Sequence, residues 1–116
     1  MAGGFRQALD RVTRVRGIRG AMLVAGEDGL IVAESLMEGV RGNAVAALAA
    51  SLAKRFRRAA EAAGAGRPQF LHLQAAQGSL VAVPAPNGVL VVAVADADIN
   101  VGLARLEMMR AAETIT

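Results

Sequence analysis

The chain contains no cysteine, no tryptophan and no tyrosine, and only three of its 116 residues are phenylalanine. Without thiols there is neither a disulfide framework nor a thiolate nucleophile or thiolate metal site. With aromatics at 3% of the chain, the base stacking on which single-stranded nucleic-acid recognition depends has almost nothing to work with. Hydrophobic residues make up 54% of the sequence, yet no apolar run reaches the roughly 18 to 20 residues that span a bilayer. The opening MAGGFRQALD also lacks the basic start and continuous apolar stretch of a signal peptide. One cytoplasmic domain over residues 1–116, with one core and no membrane insertion, is the expectation.

The charge that is present is unevenly placed. The net charge is +3, and residues 1–19 hold five arginines against Asp10. Residues 54–67 hold Lys54, Arg55, Arg57, Arg58 and Arg67 against Glu61, whereas residues 27–38 hold only the acids Glu27, Asp28, Glu34 and Glu38. Twelve arginines beside one lysine in an Ala- and Gly-rich chain also fit a GC-rich coding sequence. The excess alone therefore names no acidic partner.

Hydrophobic spacing gives the element order. Phe5, Leu9, Val12 and Val15 recur at three- and four-residue intervals and predict a helix over 4–15. "AMLVA" and "LIVAES" predict two strands, with Asp28-Gly29 of "GEDG" suited to a tight hairpin. A long helix follows over 43–63, with Asn43 as the expected N-cap, Gly64 and Gly66 as its end, and Pro68 barring continuation. "QFLHLQAA", "SLVAVPA" and "GVLVVAVA" predict three more strands, the last apolar on both faces as a central strand requires. A last helix runs over 100–113. The order α-β-β-α-β-β-β-α predicts an α/β fold: a five-stranded antiparallel sheet with helices on both faces.

Sites for chemistry are sparse. Asp96, Asp98, Asn100 and Glu107 have the spacing of positions one, three, five and twelve of a calcium loop. Position six needs glycine and holds Val101, and the segment before the loop reads as strand. Asp98 or Asn100 as a helix cap is the expectation, with no metal and no cofactor. His72, the one histidine, has no Asp or Cys nearby in sequence and reads as packed or interfacial. Ser35, Ser51 and Ser79 lack a nucleophile-elbow context, and neither "GEDG" nor "GAGRPQ" carries the Gly-Lys-Ser/Thr of a P-loop. No catalytic residue is assigned, and the chain is expected not to be an enzyme.

The surfaces are more informative. On the long helix Val45, Leu48, Ala49, Leu52, Phe56, Ala59 and Ala63 form one stripe, expected to cover the sheet. The opposite side begins with Ala47, Ala50 and Ser51 and continues with Lys54, Arg57, Arg58 and Glu61. A small-residue start on an outward face predicts a second contact. If 69–75 forms a sheet edge, Phe70, Leu71, His72 and Leu73 make it one without charge or proline, which tends to be paired. Pairing with a second copy would give a two-fold dimer with a continuous sheet, the long helices side by side. The expected interface is Ala47, Ala50, Ser51, Phe70, Leu71, His72 and Leu73. Lys54, Arg57 and Arg58 are the expected partner contacts; without aromatics beside them, no nucleic acid is expected.

"GIRGAMLVAGEDGLIVAES", "NAVAALAASLAKRF" and the ending "ADADINVGLARLEMMRAA" resemble the Roadblock family over nearly the whole chain. That resemblance implies a single Roadblock-like domain over residues 1–116, a profilin-like fold, a homodimer joined through the third strand and the long helix, and a non-enzymatic role. It further implies work beside a Ras-like small GTPase, as activator or scaffold. The sequence ends soon after the last helix, without the extension of some activating relatives, which favours binding over activation. A structural adaptor that leaves nucleotide hydrolysis untouched is the alternative.

Overall fold

The computed structural model describes residues 2–115. The chain forms α1 (Ala2–Thr13), β1 (Ile18–Ala25), β2 (Leu30–Leu36), α2 (Gly42–Ala62), β3 (Leu71–Ala75), β4 (Gly78–Pro84), β5 (Val89–Ala95) and α3 (Val101–Thr114). The five strands make one sheet in the order β2-β1-β5-β4-β3, and every neighbouring pair is antiparallel. The sequence-predicted order of elements and the sheet between two helical layers are both present.

Alternation along the strands explains the layers. On one face Ala21 and Leu23 of β1, Val91 and Ala93 of β5 and Val81 and Val83 of β4 pack with Leu9 and Val12 of α1 and Ala104 and Met108 of α3. On the other face Met22, Val24, Leu90 and Val92 meet Ala46 and Ala49 of α2. Strand β5 is thus covered on both sides, as its continuous apolar sequence predicts. The α1/α3 layer is pinned further by Arg11, whose Nη1 lies 3.0 Å from Glu107 Oε1.

Local signals set the helix ends. Asn100 Oδ1 accepts the Leu103 backbone N–H at 3.0 Å and caps α3. At the end of α2, Gly64 N donates to Glu61 O at 3.0 Å and Ala65 N to Ala60 O at 2.8 Å, a paired closure that needs the positive φ of Gly64, +69°.

Two local expectations are corrected. Asn43 is not the cap of α2: the helix begins at Gly42, Arg41 holds the N-cap position, and no side chain caps it. A Cβ at position 42 would lie 2.7 Å from Leu36 Cδ1 and 2.8 Å from Glu34 Oε2, so close packing against β2 sets this start. The first hairpin is not a two-residue Asp-Gly turn either. No non-glycine residue among those described has positive φ; Gly26 and Gly29 do. The turn runs over four residues, and Asp28 is spared the left-handed region.

Candidate protein-interaction surface

Helix α2 touches the sheet through alanines. Ala46, Ala49 and Ala50 are buried, Ala53 is partly buried, and the small side chains let the helix backbone approach closely. At Gly29 a Cβ would lie 3.0 Å from both Ala46 O and Ala47 Cα and would crowd the α2 backbone, and its φ of +73° independently favours glycine. Of the stripe expected to face the sheet (Val45, Leu48, Ala49, Leu52, Phe56, Ala59 and Ala63), Ala49 is buried against it and Val45 packs beside it. The buried side is nevertheless centred about one residue away, roughly 100°, from Leu48, Leu52 and Phe56. The reason is volume. Met22, Leu90 and Val92 already fill the space above the sheet, so larger side chains are turned aside.

That rotation leaves large apolar groups on the flank of α2. Leu48 is 63% exposed and Phe56 41%, and Leu73 on the neighbouring strand β3 is 47% exposed. Leu52, Phe56, Leu71, His72 and Leu73 line a shallow apolar depression between helix and strand. Strand β3 is an edge and carries no charge and no proline over Leu71–Ala75. The opposite edge, β2, is protected by contrast: its register against β1 shifts by one residue at Val32, and Glu34 lies within it. The undefended edge and the exposed apolar flank adjoin.

The expected interface residues divide. Ala47 and Ser51 are exposed on the outward side of α2, and His72 and Leu73 are exposed on β3. Ala50 and Leu71 are 5% and 8% exposed and belong to the interior of this chain, which corrects their placement on a free surface. Phe70 is partly buried on the α3 side, where the Arg105 guanidinium lies 5.5 Å above its ring and the His72 ring 6.3 Å away.

The basic residues divide as well. Arg57 Nη2 donates to Glu27 Oε1 at 2.8 Å, and Lys54 Nζ lies 3.8 Å from Glu27 Oε2, so both lean toward the first hairpin rather than straight outward. Arg58 has no ion pair among the described residues, and Arg55 has none either. Three and seven positions after Ser51, helical geometry places Lys54 and Arg58 on neighbouring rows, with Arg55 directly one turn beyond Ser51. Arg55 is thus the outward cation that reasoning from sequence missed; its spacing from exposed Ser51 is the signal that marks it. From residue 54 to 63 every residue but Lys54 and Ala60 is exposed, so this end of α2 stands largely clear of the sheet.

The acidic segment near α3 has other employment. Asp96 Oδ1 accepts from Arg19 Nε at 2.6 Å, Asn100 caps the helix, and Glu107 pairs with Arg11 and Arg110. Ser79 Oγ is buried with no hydrogen-bond partner among the described residues, so no base there activates it. No helix among the described residues is long and apolar enough to cross a membrane.

Similarity to known proteins agrees with this architecture. The model of the Roadblock/LC7 domain family matches residues 5–95. An uncharacterized protein of Methanocaldococcus jannaschii, MJ1340, is 37% identical over 111 residues, covering 92% of this chain and 96% of its own. Among solved structures, Myxococcus xanthus MglB superposes with a TM-score of 0.85 at 20% identity, covering 98% of this chain and 86% of that one. An MglB in a tetrameric arrangement gives 0.84 at 26% identity, over 97% and 87%. Acanthamoeba castellanii profilin II gives 0.55 at 16% identity, over 96% and 92%, which makes the fold profilin-like. The chain belongs to the Roadblock/LC7 family.

Proposed function

We propose that this protein is a non-enzymatic, homodimeric regulator or scaffold for a Ras-like small GTPase. The observation that carries the reading is the junction of an undefended β3 edge with the exposed Leu48, Phe56 and Leu73. Two copies pairing antiparallel through β3 would continue the sheet and cover those side chains against their symmetry mates. A two-fold axis perpendicular to the sheet then puts both α2 helices on one side. Their outward ends together offer Arg55 and Arg58 from each copy, with Lys54 and Arg57 beside them. A broad positive surface of this kind steers an acidic partner and makes association salt-sensitive.

The family supports self-association and a GTPase partner, and an MglB has been solved in a tetrameric arrangement. Arg58, exposed and without an ion pair among the described residues, is the residue best placed to supply charge in trans to a phosphoryl-transfer transition state. Capture of a Ras-like GTPase loaded with GTP analogue or with GDP tests the proposal. Preference for one nucleotide state supports a regulator; equal capture of both supports the adaptor reading. Failure to capture either removes the GTPase from the account.

A further inference from the structure

Beneath the overhanging end of α2 lies a cleft of about 500 Å³, a size typical of small-molecule sites. Leu71 and Leu90 give it an apolar floor, and Ala53 forms part of its roof. The sequence has three prolines, Pro68, Pro84 and Pro86, and all three line this one cleft. Proline fixes its own φ, so these walls stand preformed and lose little freedom when a ligand arrives. Lys54, Arg57 and Arg67 sit on the rim against a single acid, Glu27.

Glu27 shows what the rim accepts. Its carboxylate takes a hydrogen bond from Arg57 at 2.8 Å and lies 3.8 Å from the Lys54 ammonium. Its side chain is 63% exposed and hangs from the four-residue turn between β1 and β2. An ion pair so open to water holds weakly, and Arg67 has no ion pair among the described residues. The cleft therefore keeps an excess of positive charge while its own carboxylate occupies the bidding place of an external one.

We infer that this cleft binds a small organic anion with an apolar body. The ligand's acid group replaces the Glu27 carboxylate between Lys54 and Arg57, with Arg67 free to add a further contact. Its apolar body lies on Leu71 and Leu90 between the prolines. Inorganic phosphate would leave that floor unused, and a neutral apolar molecule would leave the cations unused. The cleft shares Lys54 and Arg57 with the positive surface of the GTPase reading, whose outward cations Arg55 and Arg58 do not line it.

Octanoate is the probe, titrated into the isotopically labelled wild-type protein and followed by amide chemical shifts. The expected result is saturable binding with shifts at Gly26, Gly88 and Leu90, while octylammonium and octanol leave these signals in place. Glu27→Gln should tighten octanoate binding at least about threefold by removing the competing carboxylate, and Arg57→Gln should weaken it about tenfold. Lys54→Gln serves as a second weakening variant, and each variant's spectrum reports whether it is folded. No saturable shifts up to about 10 mM, far weaker than ordinary small-ligand sites, would overturn the inference. So would shifts centred on Phe56 and Leu73, equal binding of octylammonium, or weaker binding by Glu27→Gln. GTPase capture is measured separately, so loss of one result leaves the other standing.

Discussion

At the start of α3 a single side-chain oxygen, Asn100 Oδ1, satisfies the Leu103 N–H at 3.0 Å. Asn100→Ala should lower unfolding free energy by about 1 kcal/mol, and Asn100→Asp should keep most of it. Urea denaturation measures both, and an unchanged midpoint in the alanine variant would show that the bond contributes nothing. Gly29→Ala should cost more than about 1 kcal/mol by the same measurement, because the residue would carry a Cβ at positive φ. That Cβ would also sit 3.0 Å from the α2 backbone. Asn100 was legible in the sequence because a short polar side chain directly precedes a periodic run. Asn43 obeyed the same local rule and was not the cap, because the approach of position 42 to Leu36 and Glu34 is a tertiary contact that no local pattern encodes. The four-residue hairpin turn was missed for a similar reason: Asp28-Gly29 satisfies the two-residue rule, but the close passage of α2 over Gly29 fixes the turn.

Among the elements, α2 decides what the molecule presents to others. Its period was plain in the sequence, and its length was right to within a residue at each end. Its rotation was not legible, because period shows that a helix has an apolar side without showing how much volume the sheet leaves for it. A helix carrying both an alanine row and a Leu-Phe row has two candidate faces, and here the alanines win the sheet. The consequence is that Ala50→Arg or Leu71→Lys would attack the interior of the chain and say nothing of an interface. Phe56→Lys and Leu73→Lys are the informative changes. Each should weaken self-association at least about tenfold, roughly 1.4 kcal/mol, with circular dichroism and midpoint close to wild type. Association unaffected by both would remove this flank from the interface. At the other end of the helix, Arg57→Glu with Arg58→Glu should lower GTPase affinity by about tenfold, again roughly 1.4 kcal/mol. Folding should persist, because the Arg57–Glu27 pair is exposed and such pairs contribute little to stability. Unchanged affinity in the folded double variant would assign those arginines to solvent and move the partner elsewhere.

For the whole molecule, the two helical layers divide the labour. The α1/α3 side is deeply packed, and the α2 side is lightly packed through small side chains, which leaves an apolar flank beside an open strand edge. A chain of this size that exposes Leu48, Phe56 and Leu73 together gains by covering them, and β3 supplies the geometry for a second copy to do so. Sedimentation equilibrium on the wild-type protein at about tens of micromolar, a range in which interfaces of ordinary size are populated, is the most direct test. The account predicts a mass near twice the 11.9 kDa chain, falling toward the monomer in Leu73→Lys. A wild-type mass of one chain across that range would contradict it.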